Sequence, residues 1–221
     1  MIPVRDGERY LAAAIESILG GTVQPAEVLV VDDGSSDGSA AIATGFGPPV
    51  SCLPGEPLGL AGALNRGISA CRGELIAFLD ADDLWTADKL ELQLELLGPE
   101  PGLEAAFGAV VEFASPELSA EQQAGVRIQE EPVQAQLRGA MLARRTLLER
   151  VGPFHEDLGV GDFVEWGARA QDAGMRSACV GEVVLRRRIH MANWGRLAAA
   201  PGLDYVRVVR EVMERRRGVA G

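Results

Sequence analysis

The chain has 221 residues, 47% hydrophobic and 24% charged, ordinary values for a protein able to bury one large core or two lobes sharing a sheet. Its net charge of -11 argues against broad adhesion to nucleic acid or anionic lipid and leaves only local basic patches as phosphate sites: Arg186-Arg187-Arg188, with Arg215-Arg216-Arg217 and Arg144-Arg145 more readily read as solvated surface. Three cysteines, Cys52, Cys71 and Cys179, odd in number and far apart, speak against a disulfide framework or a zinc site; with no membrane-length apolar run and no signal-type N-terminus, a cytoplasmic protein is expected, at most peripheral to the inner face of a membrane.

Residues 1–110 alternate strand and helix patterns, the mark of a mainly parallel sheet covered on both faces. Ile2-Pro3-Val4 reads as the tail of a strand, and Leu11, Ile15, Ile18 and Leu19 recur at helical spacing until Gly20-Gly21. Val28 to Val31 is a second buried strand that empties into Asp32-Asp33-Gly34-Ser35-Ser36-Asp37, small polar residues suited to a turn and a helix cap. A short helix, a strand at Val50 to Leu53, a helix at Leu60 to Ala70 and a strand at Leu75 to Leu79 follow, and Thr86 is placed to cap a helix bearing Leu90, Leu94 and Leu97.

Beyond Pro99-Glu100-Pro101-Gly102 the pattern predicts a strand over 103–113, then a polar, glutamine-rich excursion or lid over 115–131. A strand from Leu137 to Ala143, a short helix ending at Val151-Gly152, an irregular link and a helix over 162–173 come next. Val183 to Leu185 is expected as a strand. Tyr205, Val209, Val212 and Met213 mark one face of a terminal amphipathic helix that packs on its own lobe or on a partner, leaving a homodimer open.

The apolar run Leu75 to Leu79 stops in Asp80-Ala81-Asp82-Asp83. In an extended segment Asp80 and Asp82 face one side and Asp83 the other. Two convergent carboxylates suit Mn2+ or Mg2+, which takes its other oxygens from substrate phosphate; the same acids also suit the N-terminus of the following helix, and both readings stand. Asp32-Asp33 closes a second strand, and in open α/β sheets ligands sit beyond the carboxyl ends of the strands. Neither a phosphate-binding P-loop nor the dinucleotide fingerprint is present.

The segments from Ile2 to Leu11, Ala13 to Leu19, Val30 to Ser39, Gly59 to Gly67 and Ala77 to Asp83 resemble, in order, a family-2 glycosyltransferase of the GT-A fold. That resemblance implies a Rossmann-like α/β fold with a nucleotide-sugar lobe (1–110) and a smaller acceptor lobe ending in a helix (111–221). It implies a nucleotide-sugar donor, with UDP-sugars first, a glycan, lipid or small-molecule acceptor, and no nucleic acid. In it Pro3 and Asp32 or Asp33 approach base and ribose, Asn65 and Arg66 lie beside the sugar nucleotide, and Asp80 and Asp82 form a D-x-D element with Asp82 on the metal.

Arg144 to Glu156 is similar to the stretch leading to the family's acceptor site, and Gly161-Asp162-Phe163 with Trp166 and Arg169 to the helix start that supplies its base, here Asp162; an ordinary helix cap is the plainer reading of that acid. His190 falls at a position near the diphosphate and is a metal or phosphate contact by the same resemblance, beside Arg186 and Arg188. His155 is expected in a surface turn. The chain departs from the family in having few residues before Arg5, in Arg5-Asp6, and in Gly161 before the base. Two rivals remain: a sugar-nucleotide pyrophosphorylase, for which Arg5-Asp6-Gly7-Glu8-Arg9 is a poor loop, and a catalytically inactive module that binds nucleotide sugar or a protein.

Overall fold

The computed structural model describes residues 1–98, 102–125, 127–158, 161–191 and 210. β1 (Ile2–Val4), β2 (Val28–Asp32) and β3 (Val50–Leu53) form a parallel sheet in the order β1-β2-β3. β4 (Leu75–Ala77) continues alongside β1, where Met1 N donates to Ala77 O at 2.6 Å and Leu79 N to Met1 O at 3.0 Å. A second, mixed sheet follows in the order β4-β8-β6-β9-β5, with β7 (Val133–Ala135) on β6. Here β5 is Leu84–Trp85, β6 Ala105–Ala114, β8 Leu142–Arg144 and β9 Ser177–Ile189. The result is α/β with one curled sheet, parallel in its first half and in the β6-β9 pair, antiparallel elsewhere.

Strand β2 explains the layering. Val28 and Val30 point into a core with Leu11, Ile15, Trp85 and Val184, while Leu29 and Val31 point into another with Phe78, Phe107, Met141, Phe154 and Trp166. A continuous apolar run is what a strand buried on both faces needs. On the first face lie α1 (Glu8–Leu19) and α2 (Ser39–Phe46); α3 (Gly59–Ala70), α6 (Arg145–Val151) and α7 (Asp162–Asp172) cover the other. α4 (Lys89–Leu97) packs on β6 and β9.

Several expectations need correction. Leu137 to Ala143 is not one strand: a 3-10 turn at Arg138–Ala140 precedes β8, its Gly139 and Ala140 carbonyls taken by the side chains of Trp85 and Gln93. Thr86 does not cap α4; its hydroxyl donates to Val183 O at 2.8 Å, and Asp88 stands at the cap. β5 is too short to show a period, and β9 runs 13 residues where three were expected. Arg144 and Arg145 are neither patch nor solvated surface. Arg144 donates to Leu97, Gly98 and Leu103 carbonyls and Arg145 to those of Ile68, Cys71 and Gly73, so each cation satisfies the end of a helix. In the polar excursion α5 (Ala120–Ala124) forms behind a capping box of Ser119 and Gln122. The terminal amphipathic helix and Arg215-Arg216-Arg217 lie outside the described residues, and no helix among those described is long and apolar enough to cross a membrane.

Candidate active site

β1, β2 and the continuation of β4 run in one direction and deliver their ends to one edge. Pro3 is buried within β1 opposite Val31. At the edge Asp32 Oδ1 accepts from Ser35 N at 2.9 Å. Asp33 is more committed: its two oxygens accept from Leu58 N (2.7 Å) and Gly59 N (3.0 Å), the entry to α3, where the positive end of the helix dipole favours a carboxylate. Asp37 serves the start of α1, accepting from Glu8 N at 2.9 Å, while Glu8 accepts from Gly38 N at 2.8 Å. Arg66 donates to Asp32 O and Leu53 O, both at 2.9 Å, and joins the ends of β2 and β3. A Cβ at residue 55 would lie 1.3 Å from Arg66 Nη1, so a side chain there would displace the guanidinium. Asn65 grips the Phe154 backbone at both ends, Nδ2 to O at 2.9 Å and Phe154 N to Oδ1 at 2.8 Å.

The acids after β4 form a turn, closed by Asp83 N donating to Asp80 O at 3.1 Å, instead of the extended segment expected. Each carboxylate therefore takes a different partner. Asp80 Oδ1 meets Arg138 Nη2 at 2.7 Å, and Arg138 Nη1 meets Asp162 Oδ2 at 3.1 Å. One buried guanidinium thus ties the strand-end acid to the first residue of α7. Burial works against its charge, but Asp80 and Asp162 outweigh that and raise its pKa. Asp82 Oδ2 lies 3.0 Å from His190 Nε2 at the end of β9. Asp83 is buried and accepts from Arg188 N at 2.8 Å; burial first, then the charges of Asp82 and Asp80, push its carboxyl well above the usual range. Three neighbouring acids coexist because each has its own answer to the charge.

Arg188 lies between the rings of Tyr10 (4.8 Å) and Phe113 (4.7 Å) and donates to Asp82 O at 2.9 Å. Arg186 shares that face, 4.9 Å from Phe113. The Tyr10 ring is 4.8 Å from that of His190, and its hydroxyl donates to Glu117, which also accepts from Ser115. Burial alone would raise the Glu117 carboxyl; the Ser115 and Tyr10 hydroxyls outweigh it and hold it at about 2.

Gly161, the cap before Asp162, is left-handed (φ 84°, ψ 5°). A side chain there would be strained, which accounts for the missing acid before Asp162. Trp166 Nε1 donates to Gly152 O at 3.1 Å, and Arg169 joins Glu165 to the carbonyls of Val151 and Pro153, so α7 is fixed to the segment that precedes it. His155 is half-exposed at the surface, 3.6 Å from Glu165.

The donor set bears on a cation. Two ligands at 2.0–2.1 Å on neighbouring corners of an octahedron stand about 3 Å apart, the observed separation of Asp82 Oδ2 and His190 Nε2. Among the described residues no cluster of three or more His, Cys, Asp or Glu is arranged to hold an ion. Asp82 and His190 are thus the two donors this edge offers a divalent cation, and an ion there would take its remaining ligands from phosphate oxygens or water.

The sequence model of glycosyl transferase family 2 matches residues 1–149. The chain belongs to that family. Among its relatives is an uncharacterized glycosyltransferase of Rickettsia typhi, 38% identical over 97 residues, which are 44% of this chain and 30% of that protein. The chain thus matches about a third of the length of that curated relative. Solved glycosyltransferase structures share the fold. Staphylococcus aureus TarS 1–349 in complex with UDP-GlcNAc superposes with a TM-score of 0.73 at 17% identity, over 96% of this chain and 64% of that one. Glucosyl-3-phosphoglycerate synthase of Mycobacterium tuberculosis, in complex with Mn2+, UDP and phosphoglyceric acid, gives 0.66 at 20% identity, over 96% and 76%. These likenesses make the architecture GT-A.

Two residues at this family-2 site escaped sequence reasoning. Tyr10 lies on α1 among apolar neighbours and carries no signal of its own. Arg138 did carry one, because a lone arginine inside the apolar run from Leu137 to Ala143 must be buried, and a buried cation needs an anion.

Proposed function

We propose that this chain is an inverting glycosyltransferase that moves a sugar from a nucleotide diphospho-sugar, UDP-linked, to the hydroxyl of a glycan, lipid or small-molecule acceptor. The observation that carries the reading is the bridge Asp80–Arg138–Asp162, which brings a strand-end acid and a helix-start acid to one buried guanidinium. The donor occupies the edge built by residues 1–110, with Pro3 and Asp32 or Asp33 toward base and ribose, Asn65 and Arg66 behind them, and Asp80 toward the sugar. The acceptor enters from 111–221. Asn65 and Arg66 act by holding the walls, since their polar atoms are spent largely on Phe154, Asp32 and Leu53.

Asp82 and His190 would hold Mn2+ or Mg2+, which when bound would supply positive charge beside the departing diphosphate. Asp162 takes the proton of the acceptor hydroxyl as its oxygen bonds to the anomeric carbon; the bond from that carbon to the phosphate oxygen breaks on the far side, and the nucleoside diphosphate leaves. Arg138 aims the Asp162 carboxylate, and Arg188, braced by Tyr10 and Phe113, holds the Asp82 backbone. The UDP and Mn2+ bound by structural neighbours support the choice of donor and cation.

The test is turnover of a panel of nucleotide sugars by wild type, Asp162→Asn and Asp82→Asn, each checked for an unchanged fold by circular dichroism. Both variants should lose about 10²- to 10⁴-fold in turnover, the range of a removed general base or comparable group. Wild-type turnover in Asp162→Asn would sink the base, and binding of UDP with Mn2+ but no turnover by the wild type would favour the inactive module.

A further inference from the structure

Beside the turn that carries Arg138, the core holds two polar side chains that the chemistry above does not use. Lys89 and Gln93, one helical turn apart on α4, are both fully buried. Lys89 Nζ donates to Gln93 Oε1 at 2.7 Å and lies 4.9 Å from the centre of the Trp85 ring. Gln93 Nε2 donates to Ala106 O at 3.0 Å and Ala140 O at 2.7 Å, and Trp85 Nε1 to Gly139 O at 3.2 Å. Two of the three carbonyls in the Arg138–Ala140 turn are thus held from α4 and β5, while the third, of Arg138, accepts from Met141 N at 3.0 Å.

Such an arrangement is costly where aliphatic residues of the same volume would pack freely, and burial alone lowers Lys89 to about 7. What aliphatic residues would not do is fix the direction of those carbonyls. An amide has two donor hydrogens and one acceptor oxygen, here all engaged, and the lysine on the oxygen side prevents the amide from turning over. The Arg138 side chain depends on that support, since its buried Nε has no partner and its terminal nitrogens must span Asp80 and Asp162 together.

We propose that Gln93, oriented by Lys89 and assisted by Trp85, is a positioning residue: it fixes the Arg138 turn and, through the guanidinium, the placement of Asp80 against Asp162. The effect on turnover rests on the transferase reading; the effect on Arg138 does not. The full chain carrying Gln93→Leu is compared with wild type in two ways. The first is the Arg138 Nε–H resonance in 1H–15N spectra, assigned by its loss in Arg138→Lys. The second is the split of kcat against donor KM.

Gln93→Leu should shift or broaden that resonance and lower kcat roughly 10- to 100-fold, as a sub-ångström to ångström misplacement does, with donor KM within about threefold. In an Arg138→Met background the same change should add almost nothing, because the two act as a unit. Trp85→Phe, which removes one hydrogen bond and little volume, carries the same test if Gln93→Leu fails to fold. An unmoved Arg138 resonance in a folded variant overturns the proposal, as does a full additional loss of kcat in the Arg138→Met background. A moved resonance in Gln93→Leu, together with a wild type that turns over no nucleotide sugar, upholds the positioning and overturns the transferase reading.

Discussion

Lys89→Met should make the protein more stable at neutral and acidic pH. Lys89 is fully buried, and burial takes its pKa from 10.5 to about 7. Below pH 7 the folded and unfolded states both carry the proton, and the fold bears the whole cost of burying it. Between about 7 and 10.5 the unfolded chain holds a proton that the folded one has released, so stability rises with pH across that window and levels off above it. At 1.36 kcal/mol per unit the penalty is roughly 5 kcal/mol at the acidic end. Methionine keeps the length and the apolar stem but leaves Gln93 Oε1 unpaired, at a cost of about 1–3 kcal/mol. The variant should therefore gain about 2 kcal/mol or more near pH 6 and fall below wild type near pH 10. Urea unfolding of both proteins across this range measures the difference directly, with other titrating groups cancelling. A difference that does not change with pH would show that Lys89 keeps its proton in the fold, and the burial argument would be wrong.

Glu104→Gln should cost about 2 kcal/mol near neutral pH. Arg150, bonded to both carboxylate oxygens at 2.6 and 3.0 Å, is the main cause that lowers Glu104 to about 2. That contribution is present above about pH 4.5 and is lost as pH falls through 2, so denaturant midpoints of variant and wild type should converge in acid. Asn65→Ala leaves the Phe154 N–H and carbonyl without their partner and should destabilise the protein by about 1–3 kcal/mol, with faster hydrogen exchange at Phe154 as the local readout. UDP with Mn2+, at about a hundredfold excess over Kd, should raise the melting temperature of the wild type by roughly 5 °C or more, and neither Asp82→Asn nor His190→Gln should respond comparably.

Elements with their own period or punctuation were legible in the sequence. β2 shows as an unbroken apolar run, α1 as a stripe closed by Gly20-Gly21, and the site edge as two strands ending in acids. What escaped was decided by contacts between distant segments. Nothing near Asp33 says that its carboxylate will cap α3, 25 residues away in sequence. The pattern from Leu137 to Ala143 fits a strand, whereas its first half is a 3-10 turn held by side chains from α4 and β5. Arg144 and Arg145 look like surface charge until the helix ends they satisfy are in place. Likewise β9 is broken by charge at Arg186-Arg187-Arg188, and pairing along all of β6 is what makes it one strand.

The length of β9 bears on how this protein can be recombined. Its register with β6 runs from Ala105 opposite Ser177 to Ala114 opposite Ile189, with two shifts near Ala109, so one strand starts behind α7 and finishes beside His190. The stretch recognisable as family 2 stops at 149, yet a fragment cut there would strip β6 of its parallel neighbour and leave both Asp82 and Arg138 without their far partners. On the proposed reading, a chimaera that exchanges the later half to change the acceptor would replace His190 along with Asp162. On the proposed reading, donor and acceptor preferences of this chain would be inherited together, and separating them would call for loop grafts that spare β9.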